Sequence, residues 1–183
     1  MTNYFRQYKP FLSFLGKFFL AYLAMAGVYQ WYLSGFGEVK MDHITRMVAW
    51  QTEELLQMVS NQPVVVEDNK PDQFIKIIYS GKYVARIIEG CNAISVIILF
   101  ISFVVAFSGR LKPTVLFIFL GSILIYFLNI FRIAVLTVLV YNFPEQEHFL
   151  HGVVFPLMIY GVVFLLWIYW VKKHSQYAAG KSE

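Results

Sequence analysis

One cysteine, one arginine inside an apolar run and a pair of histidines are the residues of this chain that could do covalent chemistry. Cys91 is the single cysteine in 183 residues and stands in the run Glu89-Gly90-Cys91-Asn92. A thiolate is a strong nucleophile, and the free N–H groups and positive dipole end of a helix favour it. Position 91 opens an apolar stretch, so a helix start is expected there, with Gly90 allowing close backbone approach and Asn92 offering another donor. Arg132 interrupts a second apolar stretch. An arginine at the centre of a bilayer costs about 3 kcal/mol or more, which makes it a functional candidate by default. Asn129, one turn earlier on the same helical face, suggests a polar seam turned inward. Glu145, Glu147, His148 and His151 precede the last apolar run, and the two histidines lie three apart, close enough to share a helical face. Two histidines without the H-E-x-x-H order do not make a zinc site, so neither metal nor other cofactor is expected. A nucleophile, a cation and a titratable base are the parts of an acyl-transfer site. No Ser-His-Asp set or phosphate-binding glycine loop competes with them. His43 and His174 read as ordinary.

The elements that must position these residues follow from composition. The chain is 58% hydrophobic and 19% aromatic, with only 14% charged residues. A soluble domain carries roughly 25% charged residues, and one of this length buries only about 70% of its unfolded surface. Lipid is the remaining solvent for the apolar excess. The same numbers exclude a disordered chain, and one cysteine excludes a disulfide scaffold. The formal charge of +4 does not indicate nucleic acid, because the basic residues flank apolar runs instead of forming a stripe. The expectation is one small all-α integral membrane domain over residues 1–183.

Four stretches approach the ~20 apolar residues a span requires. They lie at about 14–37, 91–109, 113–142 and 152–171, the third interrupted by Arg132. The first is too long for a signal peptide and lacks a small-x-small cleavage site before Glu38, so it reads as a retained helix. With the N-terminus inside, four spans leave Arg6, Lys9, Lys17, Arg110, Lys112, Lys172, Lys173 and Lys181 in the cytoplasm, with Glu183 as the accompanying acid. Short loops rich in Lys and Arg stay inside, which favours an N-in, C-in topology. Splitting 113–142 into two spans would make each roughly 15 residues, too short for the core. Cys91, Arg132 and the histidines then fall at one depth, the outer edge of the membrane.

Residues 38–90 form the polar block on that outer side. Met41–Ser60 carries a helical stripe at Ile44, Met47, Val48, Leu55 and Val59. Asn61–Asp72 is broken by Pro63, Pro71 and Asp68–Asn69. Phe74–Tyr79 and Lys82–Ile88 are β-rich runs around Ser80–Gly81, a hairpin signal. A lone hairpin is marginal in water, so it is expected to pack on the helix or the membrane domain.

These residues resemble a known family. Glu-Gly-Cys-Asn-Ala-Ile-Ser at 89–95, Asn-Ile-Phe-Arg-Ile at 129–133 and the His-Gly-Val-Val-Phe-Pro run from His151 match the ordered Cys, N-x-x-R and His signatures of the exosortase/archaeosortase membrane proteases. The small size and single N-terminal span look like the F-type exosortase branch. The likeness is carried by residues 75–171, while the first 70 agree in layout alone. It implies a multi-pass cysteine protease or transpeptidase with sortase-like thioester chemistry. The implied partners are membrane-anchored proteins with a C-terminal tail of motif, hydrophobic span and basic end. The acceptor is open. Cys91 would be the nucleophile, Arg132 the family arginine and His151 the histidine, with His148 the alternative and Asn129, Asn92 and Glu89 in support. A non-enzymatic scaffold accounts for the spans, but gives no reason for Cys, Arg and His at one depth.

Overall fold

The computed structural model describes residues 2–36, 41–69, 74–107 and 109–173. The expected features at Glu38, Pro71, Asp72, His174, Lys181 and Glu183 lie outside them. Apolar runs without helix breakers give long helices. Helix α1 covers Thr2–Ser34, beginning well before position 14. Helix α4 runs unbroken through Arg132 from Leu111 to Asn142, so region 113–142 is one helix. At 1.5 Å per residue, α4 rises about 48 Å, some 18 Å beyond a hydrocarbon core of about 30 Å. Among the described residues three helical segments are long and apolar enough to cross a membrane: Tyr8–Ser34, Leu111–Asn142 and Pro144–Lys173. The last starts earlier than position 152, with a 3-10 turn at Pro144–Gln146 and a helical turn α5 at Glu147–Phe149. A π-turn at Leu150–Val154 then leads into helix α6 at Phe155–Lys173.

The stretch 91–109 departs from expectation. Helix α3 covers only Ile94–Ala106, 13 residues, or about 20 Å of rise. Ala93 takes a left-handed conformation at φ 68° immediately before it, and that delays the helix start.

Between α1 and α3 lies the polar block. Helix α2 spans His43–Val59, capped by Asp42, whose Oδ1 accepts from the N–H groups of Ile44 and Thr45 at 2.9 and 3.0 Å. Its buried stripe is Thr45, Val48, Ala49, Thr52 and Leu56. The stripe expected through Met47 and Val59 is displaced, and both of those residues are exposed. The two threonines escape an apolar pattern because burial is compensated by hydrogen bonds: Thr52 Oγ1 donates to the Val48 carbonyl, and Thr45 Oγ1 accepts from Asn92.

The sheet has three strands, not two: β1 (Val64–Asn69), β2 (Phe74–Tyr79) and β3 (Lys82–Ile87), antiparallel in the order β1-β2-β3. The broken reading of 61–72 is corrected here. Pro63 precedes the strand, where its missing N–H costs nothing, and Val64-Val65-Val66 is a β-branched run. Ser80 and Gly81 both have positive φ, 53° and 75°, the type I′ geometry that matches strand twist. Val66, Ile77 and other strand residues pack on α2 and on the far half of α4 through Ile130, Ile133 and Ala134.

A second core lies at the opposite end of the helices, around Phe100, Val104, Ile125, Val163 and Trp170. Gly121 lets α4 meet α3 there, because a Cβ at that position would fall 2.7 Å from Phe100 Cε1. A third, smaller cluster of Leu136, Val140, Leu150 and Phe155 seats the π-turn on α4.

Candidate active site

Strand β3 delivers Cys91 through a 3-10 turn, Glu89–Cys91. Its backbone is tied on both sides. The Cys91 N–H donates to the Ile88 carbonyl at 2.8 Å, and the Cys91 carbonyl accepts from Asn129 Nδ2 at 2.7 Å. Asn129 is buried on α4 one turn before Arg132. It therefore locks the cysteine turn to the helix that carries the arginine, which is a more definite role than a polar seam.

Two expectations about the turn are corrected. Cys91 does not open a helix, since α3 begins three residues later at Ile94. The Ile94 N–H is already taken by Asn92 Oδ1 at 3.0 Å, so the helix end is occupied by asparagine and not by the thiol. Nor does Asn92 serve as a donor at the sulfur. Its Nδ2 donates to Tyr29 Oη at 2.6 Å and to Thr45 Oγ1 at 3.0 Å, with the side chain fully buried. Asn92 joins α1, α2 and α3, and it is a structural residue.

Cys91, Arg132 and His151 line one cavity of about 200 Å³. They come from three separate stretches of sequence. Cys91 is a half-buried free thiol. Arg132 is half-buried, and its Nε is enclosed without a hydrogen-bond partner among the described residues. A buried donor left open is costly and points to a group supplied from outside. His151 is on the π-turn, held by the buried Leu150 beside it. Glu147, one turn before His151, and Arg86 of β3 also line the cavity. His148, exposed as His151 is, is not among the lining residues. The π-turn separates the two histidines, an irregularity that a spacing of three does not reveal.

Glu89 stands at the rim of the cysteine turn and outside the helices. Burial first, and the nearby charge of Asp42 second, raise its carboxyl above the usual range. Asp42 is fully buried, with Oδ2 unpartnered among the described residues. Among the described residues no three His, Cys, Asp or Glu side chains gather as metal ligands.

The family model for transmembrane exosortases matches residues 10–169. The chain belongs to the transmembrane exosortase family. No curated protein and no solved structure matches it. The match takes in α1 through α6, so this exosortase-family chain is a multi-pass membrane protein whose insertion between α1 and α3 falls inside the family region. Sequence reasoning did not find Arg86 or the stretch Val84–Ile88 as cavity wall. The available signal was their position directly before Glu89-Gly90-Cys91.

Proposed function

We propose that the chain is an exosortase-type cysteine protease or transpeptidase. It cuts the C-terminal sorting tail of membrane-anchored proteins at the outer face of the cell membrane. The observation that carries this reading is one cavity lined by Cys91, Arg132 and His151. The Cys91 thiolate attacks a peptide carbonyl, forming an Sγ–C bond. A thiol ordinarily ionises near pH ~8.5; His151 takes its proton. Arg132 supplies the open donor for the developing oxyanion, a contribution of about 3–4 kcal/mol in comparable sites. The C–N bond breaks as His151 returns the proton to the leaving amine. Water or an amine acceptor, losing a proton to His151, then attacks the thioester carbon, and the C–S bond breaks to release the Cys91 thiolate.

The topology that fits is N-in and C-in with four crossings, α3 being a short one. The Lys and Arg distribution supports it. The cavity then faces outward with α2 and the sheet above the membrane. The His151-Gly152 start of the last span favours the F-type branch.

The test is mass spectrometry of proteins bearing a C-terminal span and basic end, from cells with the native chain and with Cys91→Ala. The native chain should yield tails cut on the outer side of the span, and Cys91→Ala should leave them whole while accumulating in the membrane. Uncut tails in both would remove the protease reading. Full cutting by Cys91→Ala would instead favour a scaffold.

A further inference from the structure

The two outer edges of the sheet are treated differently. The free edge of β1 is satisfied by α2: Glu53 Oε1 accepts from the Val66 N–H at 3.3 Å, and Gln57 Nε2 donates to the Val64 carbonyl at 3.1 Å. Arg46 adds an ion pair to Asp68 at 2.6 Å. Such coverage is how proteins protect a strand edge from other chains. Strand β3 pairs only with β2, and no side chain among the described residues is hydrogen-bonded to its outer edge.

That open edge borders the cavity. Five successive residues, Val84 to Ile88, line it. Side chains alternate between the faces of a strand, so a face would contribute every second residue. A lining of five residues without a gap fits a cavity set along the strand's edge. The register also shifts opposite Ile77 and Ile78, leaving Val84 as an extra residue in β3. Bulges of this kind recur beside active sites and re-aim the strand. Three residues beyond Ile88 the same chain reaches Cys91.

We infer that the outer edge of β3 binds the substrate by strand addition, pairing with an extended segment of the tail and leading its scissile carbonyl to Cys91. The inference rests on the protease reading and specifies how that site holds its substrate. A row of N–H and C=O groups is complementary to another extended backbone, and the acceptor of Cys91 attack is a backbone carbonyl. Main-chain pairing of this type supplies affinity with little dependence on side chains. The bound segment would run along β3 as a fourth strand, with Arg86 and Arg132 at its sides.

The experiment uses the full chain in membranes and a synthetic peptide covering the residues around the cleavage point found by mass spectrometry. The peptide should inhibit tail cutting by the native chain. N-methylation of the backbone amides on one alternating set should weaken inhibition at least tenfold, and methylation of the other set should change it less than twofold. In parallel, benzoylphenylalanine in place of Tyr83 on β3 should crosslink to the tail in the Cys91→Ala background. The same group in place of Val65 on β1 should not. If the native chain cuts tails but both methylated sets inhibit alike, or both edges crosslink alike, strand addition is wrong and the protease reading stands. If no tail is cut, the protease reading fails and takes this inference with it.

Discussion

Both ends of the helical bundle have an apolar core, and they differ in what is added to it. Around Phe100, Gly121 and Trp170 the contacts are apolar and aromatic: Phe103 stacks on Trp167 at 4.2 Å and Phe117 on Trp170 at 4.9 Å between ring centroids. At the sheet-bearing end the helices are joined by directed hydrogen bonds, Asn129 to the Cys91 carbonyl and Asn92 to Tyr29 and Thr45. Dispersion is non-directional and tolerates small shifts, whereas a hydrogen bond weakens steeply with angle. The second kind of joint suits residues whose relative position matters for a reaction. The first suits a scaffold.

Substitutions at the two ends should therefore separate turnover from stability. The largest effect expected is from Arg132→Ala, a loss of ~10²- to 10³-fold in kcat with the protein still folded. Arg132→Lys should recover little, because it keeps the charge but loses the planar fork. Equal activity of all three would make Arg132 a membrane anchor. Asn129→Ala should lower kcat about tenfold with KM nearly unchanged, since it frees the cysteine turn without touching substrate. Asn129→Asp should be no better, as it offers only acceptors to the Cys91 carbonyl.

At the other end, Gly121→Val should lower the unfolding midpoint, costing about 1–3 kcal/mol through overpacking against Phe100. Cutting per folded molecule should stay as it was, and a fall in kcat would erase the distinction between the ends. Asp42→Ala should cost about 1 kcal/mol by removing the α2 cap, while Asp42→Asn should retain it. The smallest expected effect concerns Glu89. Its raised carboxyl favours the protonated form in the folded state, a contribution complete below the ordinary value of 4.5 and lost as pH rises through the raised one. Glu89→Gln should thus match the native chain in acid and exceed it in thermal stability above that window.

The sequence was most informative where a residue contradicts its surroundings. A lone cysteine and an arginine in an apolar run are visible without coordinates, and both line the cavity. Ser80–Gly81 between β-rich runs gave the hairpin for the same reason, since turn chemistry is local. What stayed hidden depends on distant partners. Thr45 and Thr52 look polar and are core residues because hydrogen bonds offset their burial. Asn92 is beside Cys91 in the chain yet faces α1 and α2, and nothing in its immediate neighbours specifies that direction. Strand β1 was obscured by Pro63 and Asp68–Asn69, residues that end strands as readily as they interrupt them. The halt of α3 short of position 91 depends on the left-handed Ala93, a conformation that alanine does not announce.

The brevity of α3 has a consequence for the surrounding lipid. As a crossing, its 13 residues would reach about two-thirds of a 30 Å hydrocarbon core, while α4 beside it overshoots. A long helix such as α4 relieves its excess by tilting, whereas acyl chains next to a crossing α3 would have to compress, at a cost of fractions of a kcal/mol per Å. Bilayer thickness would thereby become a variable of the folded chain's free energy. In vesicles of 14-carbon lipids the chain should be more stable than in vesicles of 20-carbon lipids, and the dent around α3 would bring the cavity beside Cys91 closer to the lipid surface.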